Sequence, residues 1–314
     1  MRDYSFDRSR YAALAASRID FRRSVITRPE PIDFVMPGFA LGSFGTCISQ
    51  GGVGKSMFWL QKCVSVTLGR DLFNLWSSKE QSIDIKAGPV VMISAEDPSV
   101  VLQNRIYEIG KHLEPEQTNI VNDELLLLST QGLGFNAADR LQNSWLASLK
   151  EVISDWGKCP RLMVFDTLNR CLGDANENSA SDIGAIVSNF ESLCTEFGCA
   201  TIVLHHANRS AVKADAVHSL LSARGSSALV DNSRYVETLS SESRDNVCVS
   251  FPKTSYSKQP PSVCLHRDTD GVLWGVHLSP SPKEQDPERL LLEFLPDGED
   301  PLDGSNAVDE GDWT

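Results

Sequence analysis

Short apolar runs and longer amphipathic segments alternate along residues 44–205, and this alternation restricts the fold more than any other feature of the chain. Runs such as 89–94 and 161–166 are apolar almost throughout, which is typical of strands that are buried on both faces. Segments with helical periodicity separate the runs. The pattern therefore predicts an α/β fold, in which helices cover both faces of a mostly parallel central sheet.

The predicted strands and helices alternate up to about residue 205, and from residue 230 to about residue 276 only strands are predicted. We expect strands at 44–49, 89–94, 124–128, 161–166 and 200–205. We expect helices at 55–69, 99–111, 137–156 and 181–197. Beyond residue 230, short runs separated only by turn residues predict antiparallel strands that extend the sheet, at 234–239, 246–252, 262–266 and 272–276.

The two ends of the chain differ from the rest in charge. Residues 283–314 contain 11 acidic and 2 basic side chains, whereas residues 1–28 contain seven Arg and three Asp. We therefore divide the chain into an N-terminal arm (1–28), a core domain (29–282) and an acidic tail (283–314). Short helices are expected at 11–16 and 286–295, and the remaining tail has the composition of a disordered segment.

The charge distribution decides whether nucleic acid remains a candidate partner. A net charge of −13 argues against it, because phosphate contacts require Lys and Arg. The tail contributes −9 and the arm +4, so the 254 residues between them carry only −8. The charge of the core therefore does not exclude a nucleic-acid partner.

Cysteine usage and hydropathy indicate an intracellular environment. The eight cysteines include no C-x-x-C pair, so we expect reduced thiols, and their spacing supports no zinc site. No apolar run reaches the ~18 residues that a membrane span needs. The N-terminus lacks the apolar region of a secretory signal. We expect a cytoplasmic protein without a membrane partner.

A glycine-rich loop at residues 49–56 follows the first predicted strand and opens the first predicted helix. In this setting glycines let backbone N–H groups turn towards phosphate, and the helix N-terminus adds a favourable partial charge. A lysine and a hydroxyl at its end suit phosphate and Mg²⁺ respectively. The loop departs from the usual pattern at its first position, where Ser49 replaces Gly. The residues expected to bind nucleotide are Gly51, Gly52, Val53, Gly54, Lys55, Ser56 and Met57.

Polar side chains stand at the ends of three further predicted strands. Asp166 ends one of them, where a carboxylate can hold Mg²⁺ through water. Glu96 follows another and is the expected base or water-orienting group, while its neighbour Asp97 is interpreted either as part of the site or as a helix cap. His205 and His206 end a third strand, where one of them can sense the terminal phosphate or simply be structural.

The order of these motifs resembles the RecA-like superfamily of ATPases, and within it the plasmid-type RepA hexameric replicative helicases. The similarity covers roughly residues 30–278. The segments that carry it are P-E-P-I-D-F-V-M-P-G, G-G-V-G-K-S, S-A-E-D-P, L-M-V-F-D-T-L-N-R, L-H-H-A and A-R-G-S-S-A-L-V-D-N. The resemblance implies a RecA-like core that binds ATP and Mg²⁺.

The resemblance also implies roles for individual residues. Lys55 and Ser56 match the phosphate and metal residues, Glu96 the catalytic glutamate, and Asp166 the second acidic motif. His206, with His205 beside it, matches the sensor of the terminal phosphate. Arg224 resembles the arginine finger that reaches the neighbouring subunit's ATP. Lys253 resembles a lysine that contacts nucleotide in trans, although the second finger of related helicases is replaced here by Ser255.

The resemblance places DNA in a central channel lined by the loops at 169–181 and 207–222. Arg170 lies in the first loop, and Arg209 and Lys213 lie in the second. In a ring of six subunits, each of these Lys or Arg side chains would be repeated six times and form a circle of positive charge around one DNA strand. Asp174 and Glu177 oppose tight phosphate binding in the first loop.

The leading hypothesis is an ATP-dependent replicative helicase that translocates on single-stranded DNA as a homohexamer, with 5′→3′ polarity implied by the resemblance. A replication initiator or primase would be a further partner. Two alternatives remain: a RecA/RadA-type recombination or repair ATPase that forms filaments, and a nucleotide-dependent regulatory protein. The acidic tail is interpreted as a solvating segment, a docking segment anchored by Trp313, or a cover for the channel.

Overall fold

The computed structural model describes residues 8–76, 85–134, 136–137, 144–207 and 228–276. Several predicted features lie outside these residues: the first residues of the arm, the acidic tail with its helix at 286–295, and most of the loop at 207–222. Among the described residues, no helix has the length and hydrophobicity needed to cross a membrane.

The described residues form eleven strands. They are β1 (Phe34–Met36), β2 (Phe39–Ala40), β3 (Phe44–Ser49), β4 (Val90–Ser94), β5 (Leu125–Ser129), β6 (Leu162–Asp166), β7 (Ala200–His206), β8 (Tyr235–Ser241), β9 (Asn246–Thr254), β10 (Val263–Arg267) and β11 (Leu273–Val276). Strands β1 and β2 form a separate small hairpin, and the other nine form one sheet.

The same residues contain nine helices. They are α1 (Arg8–Ala16), α2 (Phe21–Ile26), α3 (Lys55–Leu68), α4 (Ser99–Gly110), α5 (Pro115–Glu124), α6 (Ser144–Trp156), α7 (Leu168–Cys171), α8 (Ala180–Phe197) and α9 (Ala228–Asn232). In α1 and α2 every side chain that the structure describes is exposed.

The central sheet confirms the predicted fold class. Its strand order is β11-β10-β9-β8-β3-β7-β6-β4-β5. The six strands from β8 to β5 run parallel, and β9, β10 and β11 add to the β8 edge in antiparallel fashion. The change of direction follows from chain connectivity, because β8 to β11 are joined by short turns and parallel neighbours require a crossover.

Two hydrophobic cores lie on opposite faces of the sheet. On one face, Phe58, Trp59 and other side chains of α3 pack on alternate residues of the strands. On the other face, α6 and α8 contribute side chains such as Ile153 and Phe190. Because both faces are covered, the central strands are mostly apolar, and their sequence shows no regular alternation.

Helix α3 is buried along almost its whole length, and two of its polar residues, Gln61 and Lys62, are paired inside the core. Gln61 donates from Nε2 to the carbonyl oxygen of Leu273 at 2.8 Å and accepts from the N–H of Leu273 at 2.9 Å. The Lys62 ammonium forms an ion pair with Glu237 of β8. These contacts fix α3 to the antiparallel end of the sheet.

The structure contains elements that the sequence patterns did not predict. Strands β1 and β2 are only three and two residues long, so they are too short to show a periodicity. Helix α5 begins with a capping box between Glu114 and Gln117, in which glutamate takes the place of the usual Ser or Thr. The predicted loop at 169–181 begins with the helical turn α7, and residue 137 lies in a turn before α6.

Candidate functional site

The glycine-rich loop lies between β3 and α3, as the sequence predicts. Gly52 and Gly54 have φ values of +82° and +100°, a region that other residues rarely adopt. Lys55 is the first residue of α3 and is 6% exposed. The first turn of α3 contains no acidic residue, so the positive end of the helix dipole faces the loop without a competing charge.

The registers of the parallel strands bring the predicted polar residues to one edge of the sheet. Ser49 at the end of β3 lies beside His206 of β7, and Asp166 of β6 lies between Ser94 and Leu204. The segment after β4 carries Glu96. All these strands end at the same edge because they are parallel, and such edges are where open α/β sheets bind ligands.

A cavity of about 420 Å³ opens at this edge. Loop and α3 residues form one wall, and residues after β4, on α4 and in the β10–β11 turn form the others. The lining residues are Gln50, Gly52, Gly54, Lys55, Ser56, Met57, Glu96, Asp97, Arg105, His206, Arg267, Asp270 and Gly271.

Asp166 is fully buried beneath this cavity, and the peptide bond that follows it is cis. Neither carboxylate oxygen has a hydrogen-bond partner among the described residues. Burial raises the pKa of Asp166 to about 6, against the opposing influence of the Ser56 hydroxyl and the Lys55 ammonium. A buried carboxylate that only Ser56 and Lys55 offset is costly, so this site suits a bound cation.

Glu96 and His206 face each other in the cavity. His206 Nε2 lies 3.8 Å from Glu96 Oε1, which is too long for a direct hydrogen bond. His206 is the main cause that lowers the pKa of Glu96, and Lys55 and Arg170 act in the same direction. Glu96 is therefore held ionised, as a proton acceptor should be.

Some predicted residues do not reach the cavity. His205 is buried in β7 and does not line it, because successive strand residues point to opposite faces. Gly51 and Val53 are also absent from its lining. Asp97 lines the cavity and pairs with Arg105. The N-cap of α4 is Pro98, so of the two interpretations of Asp97 the helix cap is wrong.

The remaining candidates are Arg170, Lys253 and three residues that the structure does not describe. Arg224, Arg209 and Lys213 lie outside the described residues. Arg170 is exposed at the end of α7. Lys253 donates to the carbonyl oxygens of Val230 and Asp231 at 3.0 and 2.9 Å, so within its own chain it contacts the end of α9.

Sequence reasoning missed one arginine that contacts the loop directly. Arg267, at the end of β10, donates from Nη2 to the carbonyl oxygen of Val53. A Cβ atom on Gly54 would lie only 2.9 Å from the same nitrogen. No local signal could have found Arg267, because 214 residues separate it from Val53 and only the sheet brings them together.

The family comparison agrees with this geometry. The model of the AAA domain family matches residues 8–212. The chain belongs to this family. The match includes the glycine-rich loop, Glu96, Asp166 and His206, and membership of this family implies a P-loop domain that binds nucleotide.

Solved structures give the same fold. A DnaB-like replicative helicase, described with its interactions with primase, shares 16% identity at a TM-score of 0.58, over 86% of this chain and 71% of its own. An ATPase domain shares 16% sequence identity with this chain at a TM-score of 0.53. The match covers 86% of this chain and 100% of that domain. A KaiC-like protein from the archaeon Pyrococcus horikoshii shares 11% sequence identity at a TM-score of 0.50. The match covers 78% of this chain and 100% of that protein. This AAA domain therefore has a RecA-like ATPase fold that resembles replicative helicases.

Removing the charge of Asp166 should stabilise the nucleotide-free chain. The pKa of Asp166 is raised from 3.8 to about 6 on folding, so its ionisation opposes folding fully above pH 6 and not at all below 3.8. We expect Asp166→Asn to raise the free energy of unfolding at pH 8 by about 2–3 kcal/mol. Urea denaturation at pH 8 and pH 5 measures this, and the gain should shrink at pH 5. An equal gain from Asp155→Asn, at an exposed position, would contradict the assignment.

Proposed function

We propose that this chain is an ATP-dependent DNA helicase that moves along single-stranded DNA as a ring-shaped homohexamer. The observation that carries the proposal is the contact between Glu96 and His206. It joins the expected hydrolytic group to the end of β7, and the chain continues from there directly into the segment that contains Arg209 and Lys213. A change at the terminal phosphate would thereby reach a segment that we assign to DNA.

The residues around the loop suit ATP with Mg²⁺. Lys55 is placed to neutralise the β- and γ-phosphates, and the loop N–H groups to receive them. Asp166 and Ser56 would hold Mg²⁺, since Asp166 has two buried oxygens without partners and Ser56 lies beside it. When bound, the ion supplies positive charge that offsets the charge developing on the phosphates.

The hydrolytic step assigned to this chain is the activation of water by Glu96. The lowered pKa of Glu96 keeps the carboxylate ionised, so that it can orient a water molecule and accept its proton. His206 would hold Glu96 in place through the 3.8 Å contact and respond when the terminal phosphate leaves. Arg105, Asp270 and Gly271 line the cavity on the other side, where the nucleoside would lie.

We assign the remaining functions to assembly. Arg224 would reach the ATP of the neighbouring subunit and make hydrolysis depend on the ring. Lys253 would contact the same nucleotide across the interface between subunits. Arg170, Arg209 and Lys213 would line the channel and contact the DNA backbone without reading sequence. Movement in the 5′→3′ direction and interaction with a replication initiator or primase are part of this proposal.

Solution mass and DNA-stimulated hydrolysis test the proposal together. We expect a hexamer with ATP and Mg²⁺, and ATP turnover that rises when single-stranded DNA is added. Lys55→Ala is the control, because it should lose turnover while the fold is retained. Open filaments in electron micrographs would favour a recombination-type ATPase. Turnover without any binding of single-stranded DNA would contradict a role on DNA.

A further inference from the structure

A cluster of metal-binding side chains lies outside the residues that line the nucleotide cavity, on the antiparallel part of the sheet. It consists of Glu242, Cys248 and Cys264, whose ligand atoms all lie within 4.8 Å of one another. Cys248 is buried, Cys264 is half-buried and Glu242 is exposed. The cluster therefore has one side in the protein and one side open to solvent.

The strand registers bring these three residues together. Cys248 of β9 lies directly opposite Cys264 of β10 on one side and Ser240 of β8 on the other. Directly opposite residues of antiparallel strands point to the same face of a sheet. Glu242 lies one residue after the end of β8, and its carboxylate lies within 4.8 Å of both sulfur atoms. The opposite face of β9 carries the core residues Val247 and Val249.

The pairing of β9 with β10 and the tight turn between β8 and β9 hold this arrangement in place. Cys248 and Cys264 belong to neighbouring strands. Glu242 lies one residue after β8, and its N–H is tied to β9 because it donates to the carbonyl oxygen of Asn246 at 3.0 Å. Pairing across β8, β9 and β10 is therefore sufficient to bring the ligand atoms together before any ion arrives. A site formed in advance in this way lowers the entropy cost of binding.

We propose that Glu242, Cys248 and Cys264 form a zinc-binding site, with water as the fourth ligand. Two thiolates and one carboxylate form a ligand set that selects Zn²⁺ over Mg²⁺ or Ca²⁺, which prefer oxygen. Zn–S bonds of about 2.3 Å in a tetrahedron place ligand atoms roughly 3.5–4 Å apart. The spacing in the cluster reaches that range with small side-chain movements.

The site would link β9, β10 and the turn after β8 in the antiparallel part of the sheet. Arg267 lies three residues after Cys264 on β10, and it donates to the carbonyl oxygen of Val53 in the phosphate loop. Zinc would thus stabilise the strand from which Arg267 reaches the loop. The proposal does not depend on helicase activity, since binding is measured in the absence of nucleotide and DNA.

Metal analysis of the full-length protein tests the site. The chain is incubated with Zn²⁺ and a non-thiol reductant, freed of excess metal, and analysed by elemental mass spectrometry. We expect one ion per chain, and a thiolate-to-metal charge-transfer band when Co²⁺ replaces Zn²⁺. Cys248→Ser and Cys264→Ser should lose the ion and the band. Cys159→Ser, at an exposed cysteine outside the cluster, should retain both.

Glu242→Gln keeps the test decisive if the buried Cys248 variant fails to fold. Glu242 is exposed, so this change should leave the fold intact while it weakens zinc binding at least about tenfold in a chelator competition. The proposal is overturned if the wild type binds no zinc, or if all three variants bind it as tightly as the wild type. It is also overturned if Cys248 and Cys264 prove to be joined as a disulfide in the purified protein.

Discussion

Replacing Glu96 with glutamine should reduce the rate of ATP hydrolysis by about 10²–10⁴-fold, while nucleotide binding is retained. The amide has nearly the same size as the carboxylate but cannot accept a proton from water. Lys55, Ser56 and the loop N–H groups are unchanged, so the phosphates should still be held. Phosphate release under steady state measures the first effect, and titration with a fluorescent ATP analogue measures the second.

Two matched variants show whether the effect belongs to Glu96. Glu151→Gln, on the exposed side of α6, should leave turnover unchanged. Asp97→Asn also removes a carboxylate from the cavity, but Asp97 is paired with Arg105, so it should cost less than Glu96→Gln. If Asp97→Asn proved the more damaging of the two, the base would be assigned to the wrong residue.

Replacing Lys62 with methionine should lower the free energy of unfolding by about 3–5 kcal/mol. Lys62 and Glu237 are almost completely buried and form an ion pair between α3 and β8. The ammonium also lies 4.4 Å from the ring centre of Phe58 and 4.7 Å from that of Trp59. Without Lys62, Glu237 would keep only the Tyr235 hydroxyl, which donates to it at 3.3 Å.

Chemical denaturation of single and double variants separates the charge from the packing. We expect Lys62→Met combined with Glu237→Leu to recover most of the lost stability, because no charge is then left unpaired in the core. Lys150→Met breaks an exposed pair with Glu196 and should cost less than about 1 kcal/mol. Equal losses for Lys62→Met and Lys150→Met would show that the buried pair contributes no more than a surface one.

The local sequence patterns of the chain were sufficient to predict the strands of the central sheet. The apolar runs at 44–49 and 161–166 coincide with β3 and β6 to within one residue, and the strands after residue 230 extend the sheet as expected. These patterns are informative because strands buried on both faces must be apolar along their length. Short elements such as β1 and β2 carried no such signal, since two or three residues show no period.

The residues of the candidate site also fall into those that the sequence predicts and those that only the tertiary structure brings to the cavity. Lys55, Ser56, Glu96, Asp166 and His206 stand next to strand ends in the sequence, so parallel pairing alone predicts that they converge. Arg105, Arg267 and Asp270 reach the same cavity from α4 and the β10–β11 turn. Their positions depend on how distant elements pack against the loop, and no motif records that packing.

The sequence by itself determined the class of fold, the phosphate loop and the edge of the sheet where the site lies, because these depend on local periodicity and on residues adjacent in the chain. Only the tertiary structure decided which of His205 and His206 faces Glu96, and that Asp97 pairs with Arg105. It also decided that Cys248 lies opposite Cys264, although their spacing in the chain had argued against a metal site. Side chains alternate between the two faces of a strand, and pairing joins segments that are distant in the chain. The register of that pairing therefore determines which side chains meet, and sequence spacing does not show the register.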